Sequence, residues 1–259
     1  MTGREVAGTQ GRRAPRGAGA VVTGGGSGIG AATVELLAAS GARVLVVDRD
    51  AEAGEAVAGQ TGQFFVAADV ASPDDWGRVR AVAEEQLPSV DFLHLNAGVN
   101  SGRQGAPLAE LTDDRLARTL AVNLGGVILG VRELVPLLEG GDGGSVLVTA
   151  SLAALGPFPA DPVYAATKHG VVGFVRSIAY QLGRRGIQIN VLCPTATDTP
   201  MVDETDRARL ARAGVALVSA QAMAMAALQC LSDPGTGQVF RCVDDTGAQL
   251  VPPVPQMED

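Results

Sequence analysis

The chain has 259 residues, 46% of them hydrophobic and only 3% aromatic, with 34 glycines. A mean hydropathy of +0.20 with 19% charged residues excludes disorder for the bulk of it, and the length suits one α/β domain around a single core. A net charge of −8 argues against nucleic acid or an anionic membrane as the main partner.

Residues 1–17 carry Arg4, Arg12, Arg13 and Arg16 among glycines and small polar residues, with no apolar stretch. A mitochondrial presequence shares that arginine richness, but no amphipathic helix is visible. The segment reads as a disordered extension ahead of one domain over 18–259. From there, strand-length apolar runs alternate with helical patterns. Strands are predicted over Gly19–Thr23, Arg43–Asp48, Gln63–Ala68, Phe92–Leu95, Ser145–Ala150, Gln188–Cys193 and Gln238–Val243. Most are continuous β-branched or leucine runs, as expected when both faces of a parallel sheet are covered. Helices such as Ile29–Ala39 and Asp74–Gln86 fall between them, the latter opened by Ser72 as N-cap and Pro73 in the first turn. The pattern predicts an α/β fold: a single doubly wound parallel sheet of about seven strands with helices on both faces. Ala213–Ser232 has no charge and is long enough to span a membrane. It is mostly alanine, broken by Gly214, Ser219, Gln221 and Gln229, and reads instead as a helix buried at a subunit or domain interface. The tail Val251-Pro252-Pro253-Val254-Pro255 reads as extended.

Cys193, Cys230 and Cys242 lack C-x-x-C spacing and read as reduced core thiols of a cytoplasmic protein. The two histidines, His94 and His169, form no H-E-x-x-H motif, so no metal site is expected, and both read as packing residues. Of 20 Lys+Arg, the only lysine is Lys168.

The first strand runs into Thr23-Gly24-Gly25-Gly26-Ser27-Gly28-Ile29-Gly30 and then a helix. Glycines there allow a tight turn and bring backbone N–H groups to a pyrophosphate at the helix N-terminus. Asp48 closes the second strand. A carboxylate at that place accepts both hydroxyls of an adenine ribose and repels a 2′-phosphate, which predicts NAD over NADP. Arg49 beside it is the residue that could hold a 2′-phosphate.

The T-G-x-x-x-G-x-G spacing resembles the short-chain dehydrogenase/reductase family, and the rest of the chain supports the resemblance over about residues 18–245. Asp69-Val70 ends the third strand, where the family contacts the adenine. Asn96-Ala97-Gly98 matches the family's N-A-G turn, with Leu95 where an asparagine is usual. Asn123, Ser151 and Tyr164-x-x-x-Lys168 follow in order. The resemblance implies a Rossmann fold and a nicotinamide cofactor held by Gly24, Ser27, Gly28, Ile29, Gly30, Asp48, Arg49, Asp69, Val70, Asn96, Ala97, Gly98, Tyr164, Lys168, Pro194, Thr197 and Thr199. Thr195 replaces the family's glycine after Pro194, and Thr197 its aliphatic residue.

Tyr164 and Lys168 stand at i and i+4, so their side chains leave one face of a helix. A free tyrosine, with a pKa of about 10, is a poor base near neutrality, and a fixed ammonium or an oxidised nicotinamide favours its phenolate. Tyr164 is then the general base for the proton of an alcohol that yields hydride to the nicotinamide. Ser151 would stabilise charge on the substrate oxygen. By resemblance, Lys168 also holds the nicotinamide ribose and Asn123 anchors a water in a proton relay. Val99, Asn100, Leu152, Ala153, Phe158, Thr195 and Met201 are expected to line the substrate pocket, favouring a small, neutral, fairly lipophilic alcohol or ketone. Arg103 would be the receptor for any carboxylate but reads as solvated. The apolar residues Val171, Val172, Phe174, Val175 and Ile178 on the Tyr164 helix, with the family's habit, predict a homotetramer or homodimer. An NADPH-dependent ketone or 3-oxoacyl reductase and a non-catalytic nucleotide sensor are the competing readings; Asp48 opposes the first and the Asn123, Ser151, Tyr164, Lys168 set the second.

Overall fold

The predicted alternation is visible in the computed structural model, which describes residues 17–139 and 143–252. In chain order the elements are β1 (Gly19–Thr23), α1 (Gly28–Ala39), β2 (Arg43–Asp48), α2 (Ala51–Thr61), β3 (Phe64–Ala67), α3 (Pro73–Gln86), β4 (Phe92–Leu95), α4 (Asp113–Leu120) and α5 (Gly126–Leu138). There follow β5 (Ser145–Thr149), α6 (Pro162–Gly183), β6 (Gln188–Pro194), β7 (Thr197–Asp198), α7 (Glu204–Arg212), β8 (Val218–Ser219), α8 (Ala220–Leu231), β9 (Val239–Cys242) and β10 (Gln249–Leu250). The extension predicted for residues 1–17 lies, apart from Gly17, outside the described residues, as does the tail beyond Pro252.

The sheet has eight strands rather than about seven, in the order β10-β9-β6-β5-β4-β1-β2-β3. Seven are parallel, and β10 joins β9 antiparallel at the edge. The extra strand is two exposed residues long, too short to leave an apolar run in the sequence. β7 and β8 form a separate two-stranded ribbon. Central strands β1, β4 and β5 are buried at every position, which is why they read as continuous apolar runs. Side chains alternate between two cores. Val21, Leu93 and Val146 point toward α3, α5 and α6, with Trp76, Leu134, Leu138, Val171 and Val175. Val22, Phe92 and Leu147 point toward α1 and α8, with Val34, Leu37, Met223 and Ala227.

The uncharged 213–232 segment finds cover on its own chain over part of its length. Within it, α8 lies on the chain's own sheet, burying Met223, Ala224, Ala226, Ala227, Cys230 and Leu231, because an alanine-rich face lets α8 pack closely against α1 and over β5 and β6. Likewise Val171, Val172 and Val175 of α6 face the core, with Phe174 and Ile178 packed at its margin. The helical run Asp113–Leu138 is long and apolar enough to cross a membrane by length and composition, yet its Val127, Val131, Leu134, Val135 and Leu138 are buried in the fold.

Strand order reverses between β1 and β4. Connections from β1 lead toward β3 and those from β4 toward β9, so the helices part above the carboxyl ends of these two strands and leave a crevice. His94 of β4 lies beneath it, fully buried, with Nε2 2.8 Å from Thr149 Oγ1 and Nδ1 without a partner. An unpartnered lone pair costs less than an unpartnered N–H, so the neutral tautomer donates from Nε2. His169 does not pack. It is exposed on α6, its Nδ1 bonded to the Ala165 carbonyl at 2.9 Å.

Burial holds the His94 pKa down at about 3. The unfolded chain therefore takes up a proton that the native state refuses, and stability contributed by neutral His94 is lost as pH falls from about 6.5 toward 3. We expect His94→Gln, which keeps a donor for Thr149, to lose less stability than wild type between neutral pH and pH 4 in urea unfolding. Parallel losses in the two proteins would contradict this.

Candidate active site

β1 ends in Thr23, whose hydroxyl oxygen accepts from the backbone N–H groups of Asn96 (2.9 Å) and Ala97 (3.2 Å) and so ties the two central turns together. Gly24 and Gly28 have φ of +63° and +53°, the left-handed region that a side chain strains to enter. A Cβ on Gly28 would come within 2.9 Å of Thr199. Gly30 differs from the other predicted cofactor residues: it does not line the cleft, and a Cβ there would meet the Gly24 carbonyl at 2.0 Å. Its role is close packing of α1 on the turn. Ser27 caps α1 without a side-chain hydrogen bond, so first-turn N–H groups stay open at the positive end of the helix dipole. Asp48 accepts from Gly26 N through Oδ2 (2.9 Å) and from Asp50 N through Oδ1 (3.0 Å), which fixes its carboxylate beside the turn.

At the far end of the cleft Asp69 pairs with Arg118 at 2.6 Å. Burial pushes its carboxyl up, but the Ala71 amide, Arg118 and Arg49 outweigh that and hold its pKa below the usual value. Arg118, on α4, has no local sequence signal; only the folded chain brings it to Asp69, 49 positions earlier.

The other end rests on a π turn, Ala121–Gly125, between α4 and α5. The extra residue turns Asn123 inward, where it is 0% exposed. Its Oδ1 accepts from Val99 N (2.8 Å), and its Nδ2 donates to Val99 O (2.9 Å) and Thr167 Oγ1 (3.1 Å). Asn123 thus clasps the backbone behind the Asn96–Gly98 turn and, unlike the other predicted catalytic residues, does not line the cleft.

α6 begins with Asp161, which caps it by accepting from Tyr164 N (2.9 Å) and also accepts from Ser101 N (2.9 Å) and Ser101 Oγ (2.6 Å). One buried carboxylate therefore joins the loop after β4 to the turn that presents Tyr164. Lys168, one turn on, is 3% exposed and donates from Nζ to the Thr149 carbonyl at 2.9 Å. Nζ lies 5.5 Å from the centroid of the Tyr164 ring, so the i, i+4 pair meets as predicted. A Cβ on Gly98 would stand 3.4 Å from Nζ, in van der Waals contact with it. Ser151 Oγ accepts from Ala153 N (3.1 Å), keeping its own proton free to donate.

Burial pulls the Lys168 ammonium down to about 8 and pushes the Tyr164 phenol up to about 12. The Ser151 hydroxyl draws Tyr164 the other way, while Asp161 and the Cys193 thiol push it further up. In the protein alone, desolvation is the largest influence on Tyr164 and holds its phenol up.

These groups share one cleft of about 610 Å³. It is lined by Ser151, Tyr164 and Lys168, by every predicted cofactor residue except Gly30, and by all seven predicted pocket residues. Thr195 fits in place of glycine, its N–H bonded to Cys242 O at 2.9 Å. Arg103 lies outside, 3.6 Å from Glu110 on the surface. Thr149, Gln104, Arg118, Asp206 and Arg209 also line the cleft and were not expected. Among the described residues no His, Cys, Asp or Glu cluster has a metal-binding arrangement.

Residues 18–210 match the family described as short chain dehydrogenase. The 2,5-dichloro-2,5-cyclohexadiene-1,4-diol dehydrogenase of Sphingobium indicum is 39% identical over 188 residues, covering 70% of this chain and 73% of its own. Momilactone A synthase of Oryza sativa subsp. japonica is 35% identical over 249 residues, with 90% of each chain covered. The structure of 3-ketoacyl-(acyl-carrier-protein) reductase from Brucella melitensis, complexed with NADH, has a TM-score of 0.80 at 31% identity, over 89% of this chain and 98% of that one. The chain belongs to the short-chain dehydrogenase/reductase family and is an oxidoreductase of the class that uses NAD(H) or NADP(H).

The chain has two tyrosines, and Tyr180 is 76% exposed. Spectrophotometric titration of the protein alone, compared with Tyr164→Phe, should show no ionisation from Tyr164 until about 12. A Tyr164→Phe difference that titrates well below that would contradict the desolvation argument.

Proposed function

We propose that this chain oxidises a small, neutral secondary alcohol to a ketone, or runs the reverse, with NAD as cofactor. The observation that carries the reading is the convergence of Ser151, Tyr164 and Lys168 on one wall of the cleft, opposite the glycine turn. The cradle suits a dinucleotide: open N–H groups at α1, glycines whose Cβ atoms would intrude, and the fixed Asp48 carboxylate. When bound, the nicotinamide accepts or returns the hydride. Ser151 donates its free hydroxyl proton to the substrate oxygen and orients it. Tyr164 takes the alcohol proton in oxidation and gives it back in reduction. In the protein alone its phenol is held up to about 12, so it becomes a competent base only with positive charge fixed beside it. Lys168 supplies part of that charge below about pH 8 and orients what binds between it and Tyr164. Asn123 holds the Val99 backbone so that the cleft floor keeps its shape.

Asp48 favours NAD, since a 2′-phosphate would meet its carboxylate. The complex of the Brucella melitensis reductase with NADH is in keeping with that choice. One observation favours NADP: Arg49 is exposed on the cleft rim, with its charge felt at Asp69. Steady-state turnover over a panel of secondary alcohols decides between them. We expect NAD to exceed NADP by at least roughly tenfold in kcat/KM, Asp48→Ser to narrow that ratio, and Tyr164→Phe to abolish oxidation. Faster turnover with NADP would overturn the cofactor assignment, and undiminished turnover by Tyr164→Phe would overturn the base.

A further inference from the structure

A helix N-cap needs an acceptor but no charge: serine or asparagine in place of Asp161 would take the Tyr164 N–H as well as aspartate does. A carboxylate there even works against the reaction, since its charge pushes the Tyr164 phenol further up. At 3% exposure it is also costly to bury, and hydrogen bonds must offset that cost. What the carboxylate adds is acceptor capacity. Oδ1 takes the Tyr164 N–H (2.9 Å) and the Ser101 hydroxyl (2.6 Å), and Oδ2 takes the Ser101 N–H (2.9 Å). No amide can serve all three donors, because its NH2 end would face an N–H.

Two of the three bonds thus go to Ser101, 60 positions earlier in the chain. Asn100 and Gln104, on either side of Ser101 in the loop after β4, line the cleft; Ser101 and Asp161 do not. The same loop is pinned by Gly105 N to Ala160 O (2.7 Å) and by Asn100 Nδ2 to Met201 O (3.2 Å). Behind Asp161, the Phe158 carbonyl accepts from Asp161 N at 3.2 Å, and the Phe158 ring lies 6.3 Å from that of Tyr164. One buried carboxylate therefore holds the loop, the Phe158 turn and the start of α6 in a fixed relation.

We infer that Asp161 is a positioning residue that sets stereoselectivity: through Ser101 it fixes the cleft wall at Asn100 and Gln104 relative to the Tyr164 hydroxyl. Two enantiomers of a secondary alcohol can both place their oxygen at Ser151 and Tyr164, but they exchange the substituents that rest against this wall. Misplacement of about 1 Å at a reacting centre costs on the order of a hundredfold, so the wall's register decides which enantiomer aims its carbinol hydrogen at the nicotinamide. The inference rests on the alcohol oxidation reading of Ser151 and Tyr164.

The test is kcat/KM with NAD for the separate enantiomers of a panel of secondary alcohols, in wild type, Asp161→Asn, Ser101→Ala and Arg103→Met. Asp161→Asn keeps an oxygen to cap α6 and loses the Ser101 N–H bond. Ser101→Ala leaves Asp161 and the cap untouched and loses the hydroxyl bond. Arg103 is in the same loop but pairs with Glu110 on the surface, outside the cleft. Wild type should prefer one enantiomer of at least one alcohol by about tenfold or more. Asp161→Asn and Ser101→Ala should each cut that ratio by about fivefold or more, and Arg103→Met should keep it. A variant that is merely less folded loses both enantiomers in proportion, so its ratio does not move; should Asp161→Asn fail to fold, Ser101→Ala decides. A ratio that survives Ser101→Ala, or equal use of both enantiomers by wild type, overturns the inference while leaving the alcohol oxidation reading intact. No turnover of any alcohol overturns both.

Discussion

A single buried ammonium constrains the rest of this structure. Lys168 Nζ is held by the Thr149 carbonyl at the carboxyl end of β5, in surroundings that draw its pKa down to about 8. To tolerate that charge, the fold must bring α6 against the ends of β4 and β5 in one register, and several features follow from it. Gly98 lies so close that a Cβ there would touch Nζ. Asn123 is turned inward by a π turn to pin the backbone one residue beyond. His94, under Thr149, is kept neutral by burial and so adds no second positive charge. Asp161 sets where α6 begins, and hence which side chain stands one turn before the lysine.

The sheet decides where this happens. With order reversing between β1 and β4, a crevice opens above their carboxyl ends, and loops from both halves converge there. Chain order separates Thr23, Asn96, Ser151 and Tyr164 widely, yet each follows a strand end or starts a helix that faces the same gap. Electrostatics then divides the cleft. Backbone N–H groups and Asp48 lie at the glycine turn, a balanced Asp69–Arg118 pair at the far end, and a desolvated phenol and ammonium at the reacting end.

Much of this was legible in the sequence because buried parallel strands write themselves as unbroken apolar runs. β1, β2 and β4 were bounded correctly, and motif residues at strand ends located the cleft. What escaped notice has physical causes. β10 and the β7–β8 pair are two residues per strand, below any periodicity. The 213–232 segment carries no charge, and the fold shows which part of it, α8, is covered by packing on α1. Arg118 and Arg209 bear no motif; they meet partners 49 and 105 positions away, which only the folded chain reveals. Asn123 was expected on the family pattern, but the π turn that buries it leaves no mark in a helical repeat. The elevation of Tyr164 depends on how completely it is desolvated, a property that i, i+4 spacing does not carry.

The central claim is that this site needs a compact, rotatable ammonium at position 168 and not merely a positive charge. In a chain where every other basic residue is arginine, substitution by arginine is the direct test. The decisive measurement is steady-state oxidation of secondary alcohols by Lys168→Arg with NAD, alongside thermal unfolding to establish that the variant is folded. A longer, planar guanidinium cannot take the position of Nζ and serve the Thr149 carbonyl and the phenol together. The account therefore predicts a folded protein with kcat/KM reduced roughly a hundredfold or more. Turnover near that of wild type in the folded variant would contradict it.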